Sequence, residues 1–344
     1  MNKPKSVRQS FPAFKITMSQ STEAQSYQID NFVFQDGSTL PSVNVAYLDI
    51  NPTAKKTALV VSCFRGRLNT TLNFSQGALR DHRIIVVALL GNGESASPSN
   101  TAHFPKSIDY RDCVRGQHKL LTSLGIHELD VVVGFSMGGQ CTYHWTLMHP
   151  EMVPRAVIIC SSARTSRHNY QFLEGPKAAL ENSIDYESRD SQSKALRGLR
   201  AFGKGYSAWL TSAEWFDQEL YKTLGYETLD AWDREVAGTN YYDWNPDDLL
   251  AKLNMWQKGD ITVLSESKEQ PALEEALAQI KARVLLMPCR TDQYFRWEAS
   301  EREAKHIPDV TLKVIPSVWG HLAGLGITAE DKAFMDDAIT ELLA

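Results

Sequence analysis

Ser136 lies in the run Gly134-Phe135-Ser136-Met137-Gly138-Gly139, where two glycines flank a serine at the spacing G-x-S-x-G. A serine hydroxyl is a weak nucleophile until a neighbouring base takes its proton. Small flanking residues are what a tight, crowded turn needs in order to present such a side chain. The pattern alone arises by chance in roughly one chain in ten of this length, so the serine needs partners before it means anything. Two candidates follow late in the chain: Asp292, in Pro288-Cys289-Arg290-Thr291-Asp292, and His321, in Pro316-Ser317-Val318-Trp319-Gly320-His321. Serine, then acid, then histidine is an order in which imidazole can activate the hydroxyl while the carboxylate orients the imidazole. The chemistry this would serve is acyl transfer through an acyl-enzyme.

The tetrahedral intermediate of acyl transfer carries an oxyanion, which backbone N–H groups must stabilise. One donor is expected from Met137, directly after the serine. The other should come from the loop Ser62-Cys63-Phe64-Arg65-Gly66, with Phe64 the first choice and Arg65 the next. The Arg65 side chain is also a candidate for holding an acidic substrate group, and Trp209 and Trp319 are candidates for contacting an apolar one. Other histidines compete with His321. His306 precedes Pro308 at a helix end, and His144 and His149 lie on or just after the helix that follows the serine, where packing and capping explain them. There is no HExxH, no paired Cys/His spacing and no calcium loop, so neither metal nor cofactor is implied.

These residues need a scaffold that brings them together. Short apolar runs recur at Ala58–Val61, Ile84–Ala88, Val131–Val133, Ala156–Ile159, Val284–Met287 and Leu312–Ile315. Runs apolar on both faces suit parallel strands covered by helices on each side. Helical patterns over Tyr110 to Leu124, Gln140 to His149 and Glu298 to His306 fall between them. The fold class is therefore α/β, a mostly parallel doubly wound sheet. It is preceded by an antiparallel hairpin in which Asn31–Phe34 and Val43–Tyr47 flank the turn Asp36-Gly37. Ser136, Asp292 and His321 each follow a strand, at the edge where such sheets bind ligands.

The strand rhythm stops over residues 166–279, which predicts an inserted helical lid. One of its helices is capped by Asn245, starts at Pro246 and carries Leu249, Leu250, Leu253 and Trp256 on one face; another is expected from near Pro271 through Ile280. The predicted organisation is a polar tail at 1–28, a core of 29–165 and 280–344, and the lid at 166–279. Five of the eight tryptophans fall in the lid, so an apolar or aromatic substrate group could be housed there.

The net charge of −5 and the lack of basic runs exclude a phosphate-backbone surface, and no nucleic-acid partner is expected. There is no continuous apolar stretch for a secretory signal or a membrane span. Five cysteines without a CxxC pair read as buried free thiols in a reducing compartment, so a cytoplasmic location is expected. Oligomeric state is open, with a homo-oligomer among the possibilities.

Beyond these residues, Gly91-Asn92-Gly93-Glu94-Ser95 with Pro98-Ser99-Asn100, Gly134 to Gly139, His149-Pro150-Glu151, Trp256-Gln257 before Asp260-Ile261, and Gly320-His321 together resemble the α/β-hydrolase superfamily, in its homoserine O-acetyltransferase-like branch. The resemblance runs nearly the full length. It implies an α/β-hydrolase fold with Ser136, Asp292 and His321 at the triad positions and Phe64 where a second oxyanion donor is expected. Acetyltransferases that take homoserine usually carry Asp-Gly-His-Asp, whereas this chain has Trp319-Gly320-His321-Leu322, with an apolar residue that argues against homoserine.

The leading expectation is a serine hydrolase for a small carboxylic ester or thioester. The alternatives are an O-acyltransferase fed by acyl-CoA and a non-catalytic binding protein of the same fold.

Overall fold

The computed structural model describes residues 23–70, 74–188, 194–265 and 271–344. Most of the stretch read as a polar tail lies outside these residues. Its last part does not, because β1 (Gln25–Val33) begins within it and pairs antiparallel with β2 (Thr39–Ile50), Phe32 opposite Leu40. The Asp36-Gly37 turn closes this hairpin, with Gly37 at φ 84°, a backbone conformation that favours glycine.

Six further strands follow: β3 (Lys56–Val61), β4 (His82–Val87), β5 (Val131–Phe135), β6 (Arg155–Ile159), β7 (Arg283–Met287) and β8 (Val310–Leu312). They form one eight-stranded sheet in the order β1-β2-β4-β3-β5-β6-β7-β8, parallel from β4 onward. Every residue of β5 is buried, as a strand covered on both faces must be. Alternate strand residues feed two apolar clusters, Leu59, Val61, Ile85 and Val87 to one and Ala58, Val60, Ile84 and Val86 to the other, so the core is double-sided. At ~1.5–3 kcal/mol for each fully buried aliphatic side chain, these two layers dominate the fold's stability.

The run read at Leu312–Ile315 needs correction. The edge strand β8 spans Val310–Leu312 and is only half-buried, while Ile315 makes a single bridge to Cys289. An edge strand has one partner and one open side, so continuous apolarity is not required of it.

The helices α1 (Tyr110–Ser123) and α2 (Met137–Met148) pack beside the sheet. Asp109 and Asp112 form a reciprocal capping box at the start of α1. Between β6 and β7 the chain leaves the sheet and builds α3 (Arg167–Glu181), α4 (Leu196–Ser207) and α5 (Pro246–Gln257), with short helical turns among them. Asn245 caps α5 by accepting from Asp247 and Asp248 N–H, and Pro246 takes the first turn, where its missing N–H costs nothing. The helix expected from Pro271 to Ile280 is shorter, Leu273–Leu277, and Ile280 lies beyond it. After β7, α6 (Trp297–Ala304) and α7 (Ala329–Leu343) complete the covering layers. No helix among the described residues is long and apolar enough to cross a membrane.

Candidate active site

The strand order reverses at β3, whose neighbours are β4 on one side and β5 on the other, and such switch points open a crevice at the carboxyl edge. Val61 of β3 pairs with Gly134 of β5, which sets the loop after β3 beside the turn that carries Ser136. Ser136 sits at φ 57° and ψ −125°, a strained conformation for a residue with a Cβ. The turn closes because a Cβ on Gly134 would run into the Gly138 carbonyl and Thr142 Oγ1, and one on Gly138 would stand 2.5 Å from the Val61 carbonyl oxygen. Ser161 Oγ donates to the Ser136 carbonyl at 2.7 Å, and Ser136 N–H donates to Ile159 O at 2.9 Å, so the strained residue is held from β6 as well.

His321 Nε2 lies 2.9 Å from Ser136 Oγ, and its Nδ1 lies 2.6 Å from Asp292 Oδ2. A carboxylate accepts only, so Nδ1 carries the proton and Nε2 is left to accept from the serine hydroxyl. The other carboxylate oxygen, Asp292 Oδ1, accepts from Tyr294 and Phe295 N–H at 3.1 and 3.0 Å. All three residues are buried. The imidazole is packed by Phe135, Tyr294 and Phe295, with ring centroids at 4.6, 4.4 and 5.6 Å. The arrangement can move a proton from Oγ to an imidazole whose orientation is fixed on both sides.

Two of the competing histidines, His144 and His149, are occupied elsewhere. His144 Nδ1 contacts Gln140 O within α2, and burial lowers its pKa. His149 stacks on His118 at 4.1 Å and is pushed down to about 4, first by burial and then by that neighbour. As for a cation, the Cys160, Asp292 and His321 donor atoms lie within 4.8 Å of one another. Burial holds the Cys160 thiol well above its ordinary pKa, and a thiol that keeps its proton is a poor ligand.

The loop after β3 is built from both sides. Ser62 N–H donates to Val87 O at 3.0 Å, and Gly66 N–H turns back to Cys63 O at 3.1 Å. Neither Phe64 N–H nor Met137 N–H donates to a group among the described residues. The Phe64 ring faces an aromatic cluster of Phe202, Tyr206, Tyr241 and Trp256, with centroids 5.5–6.4 Å away. The Arg65 guanidinium reaches the insertion, donating to Asn240 O at 2.7 Å and pairing with Asp243 at 3.5 Å, so it ties the loop to the helical layer. Trp209 packs on Phe172, which stacks on Tyr294, leaving it two rings away from His321. Trp319 packs against Trp215 in the other apolar cluster.

Several residues that sequence reasoning passed over position the site. Gln293 Nε2 donates to Ala208 O and Thr211 O at 2.9 and 2.6 Å, Ser212 Oγ donates to Val318 O at 2.7 Å, and the Thr211 backbone lies against Gly320. One stretch of the insertion, 208–212, thus holds both the acid loop and the histidine loop. Thr291 Oγ1 joins those two loops directly, donating to Ser317 O at 2.8 Å and accepting from Gly320 N–H at 3.1 Å. The signal that could have found Gln293 and Thr291 is their adjacency to Asp292.

Among known families, the one described as alpha/beta hydrolase fold matches residues 61–325. An ethyl acetate hydrolase from Pseudomonas veronii is 34% identical over 269 residues, 76% of each chain. A homoserine O-acetyltransferase from Cyclobacterium marinum is 28% identical over 232 residues, 64% of this chain and 62% of that one. Among solved structures, the acetyl esterase MekB superposes with a TM-score of 0.88 at 29% identity, covering 93% of this chain and 96% of the other.

Proposed function

The chain belongs to the α/β-hydrolase fold family as an enzyme of the ester-hydrolase and acyltransferase type, and from that premise we propose that it hydrolyses acetyl esters of small alcohols through an acyl-enzyme on Ser136. The observation that carries this reading is the Ser136–His321–Asp292 relay, with contacts of 2.9 and 2.6 Å in the free protein.

Ser136 Oγ attacks the ester carbonyl as His321 Nε2 takes its proton, and Asp292 stabilises the imidazolium that results. The oxyanion is held by the N–H groups of Met137 and Phe64. Collapse breaks the bond to the alcohol oxygen, which leaves with the proton from Nε2. Water then enters, gives its proton to Nε2 and attacks the acyl-enzyme, and the second collapse releases the acid and returns the proton to Oγ.

Acetyl esters are favoured because the ethyl acetate hydrolase and MekB carry that acyl specificity in their names, and because aromatic rings crowd the Phe64 loop. Residues 166–279 act as the lid over a core of 29–165 and 280–344. Apolar Leu322 after His321 supports water over an amino-acid acceptor. Five buried free cysteines support a reducing, cytoplasmic setting.

The test has two arms. A fluorophosphonate probe should label the protein, and labelling that survives Ser136→Ala would remove the nucleophile from this residue. Acetyl release from p-nitrophenyl acetate or acetyl-CoA should proceed in water alone; acetyl-CoA consumption that requires an added alcohol would make the enzyme an acyltransferase instead.

A further inference from the structure

Lys252 is fully buried in the middle of α5, and no carboxylate pairs with it among the described residues. Its Nζ donates to the backbone carbonyl of Cys63, in the loop after β3. Removing an ammonium from water without a counter-ion costs several kcal/mol, and a methionine or leucine would fill the same space without that cost. The position is otherwise well made for packing: Lys252 follows Leu249 by three residues and precedes Trp256 by four, so it lies on the apolar face of the helix. Its stem lies in van der Waals reach of a Cβ built on Gly91, and the Trp244 ring centroid stands 5.8 Å from Nζ.

The acceptor it has found is informative. No peptide bond is cis among the described residues, so in the Cys63–Phe64 peptide the C=O and the N–H point to opposite sides of one rigid plane. Holding the oxygen fixes the direction of the Phe64 N–H. A cation on the oxygen also draws charge from the amide and strengthens its N–H as a donor, because bonded dipoles polarise one another in a low-dielectric setting. Gly66 N–H supplies the second hydrogen bond to the same oxygen, at 3.1 Å. We propose that Lys252 is a positioning residue of the oxyanion site, clamping the Cys63 carbonyl so that the Phe64 N–H is preset for the developing negative charge. This rests on the reading of Ser136 as nucleophile and Phe64 as second donor.

The clamp titrates. Burial, the largest effect, pushes the ammonium down to about 8, while the groups that face it act in both directions: Glu94 favours the charged form, Arg67 opposes it, and the Cys63 and Cys113 thiols, held protonated by their own burial, carry no charge. The charged form is present at neutral pH and is lost as pH rises through that value. The neutral amine binds the carbonyl more weakly, so the oxyanion donor loses its support at alkaline pH.

The experiment compares wild type, Lys252→Met and Lys252→Gln for p-nitrophenyl acetate hydrolysis and for inhibition by a trifluoromethyl ketone, whose adduct with Ser136 carries an oxyanion. The expected result for Lys252→Met is a fall in kcat of roughly 10- to 100-fold, somewhat less than the loss of a whole oxyanion donor, with KM within about twofold and ketone affinity weakened by a similar factor. Lys252→Gln, which keeps a neutral donor, should lie between, and it reads the same quantities if the methionine variant does not fold. The alkaline fall of kcat near pH 8 should disappear in both. Unchanged ketone affinity, or an alkaline limb that persists in the variants, would overturn the proposal. Failure of the underlying reading looks different: wild type would then form no ketone adduct, or one that survives Ser136→Ala.

Discussion

The carboxyl edge of the sheet and the helical layer above it contribute to the same site in opposite ways. The edge supplies the side chains of the relay, each in a segment that follows a strand, and holds them by short contacts of fixed geometry. The helical layer supplies no member of the relay. It reaches down with Ala208 and Thr211 carbonyls to Gln293, with Ser212 to Val318, and with Lys252 to Cys63. On the proposed mechanism the chemistry rests on the sheet edge, while the precision of its loops depends on the inserted helices. If that division is right, substitutions at the edge should abolish turnover, and those in the layer should only degrade it.

The largest effects belong to the relay. Ser136→Ala and His321→Ala should each lower kcat by about 10⁶-fold, since members acting as a unit each cost nearly the whole advantage. Asp292→Asn should cost about 10⁴-fold, because an amide in that place can offer its N–H to Nδ1 and select the wrong tautomer. Steady-state rates on p-nitrophenyl acetate read both. Near-full activity in Asp292→Asn would transfer the acid role to another carboxylate and erase the distinction drawn for the edge.

Next is the contact between the two strand-end turns. Gly138→Ala places a Cβ 2.5 Å from the Val61 carbonyl, where backbone must move on one side or the other. Pushing the β3 loop away from the turn separates Met137 N–H from Phe64 N–H. A kcat loss of about 10²-fold is expected, the size of one lost oxyanion donor. Unchanged activity would mean that the loop after β3 takes no part in holding the oxyanion.

Gln293→Ala tests the helical layer. It removes two hydrogen bonds to the insertion but leaves Asp292 its own contacts. A fall in kcat of about 10-fold is expected from looser placement of the acid loop, at unchanged tautomer. A loss as large as that of Asp292→Asn would show the insertion to be part of the catalytic unit.

What could be read in advance follows the same division. That Ser136, Asp292 and His321 come into contact was legible because the chemistry permits few residue types and the fold fixes their order, and β3 to β7 because strands buried on both faces must be apolar throughout. Half-buried β8 lacks that constraint. Contacts from the insertion were not legible, since a backbone carbonyl has no signature in the side chains. Lys252 carried a trace of its role in its place on the apolar face of α5, a spacing that ordinarily belongs to leucine. Gln293 and Glu303 gave less, because a polar residue in a loop or on a short helix reads as solvated.

Glu303 offers the finest test, because it is a buried acid in the sheet's covering layer that touches no member of the relay. Its Oε1 accepts from Ala163 N–H at 2.9 Å and its Oε2 from Tyr143 Oη at 2.7 Å. Burial raises its pKa to about 7, outweighing those two hydrogen bonds. A folded-state pKa above the unfolded value means that folding favours the protonated form. The stability contribution is therefore complete below about pH 4.5 and is lost as pH rises through 7, by about 3 kcal/mol in all. Glu303→Gln keeps an acceptor for Ala163 and presents an amide donor to the Tyr143 oxygen without any charge to desolvate. Urea midpoints should then be higher than wild type at pH 8.5, by an amount equivalent to about 1–3 kcal/mol, and should converge at pH 5. Turnover at pH 7.5 should change by less than about twofold, since Asp292, His321 and Ser136 keep their contacts. A large drop in kcat would bring this covering helix into the catalytic unit, and a stability difference that grew toward acid pH would mean that Glu303 is held in its charged form.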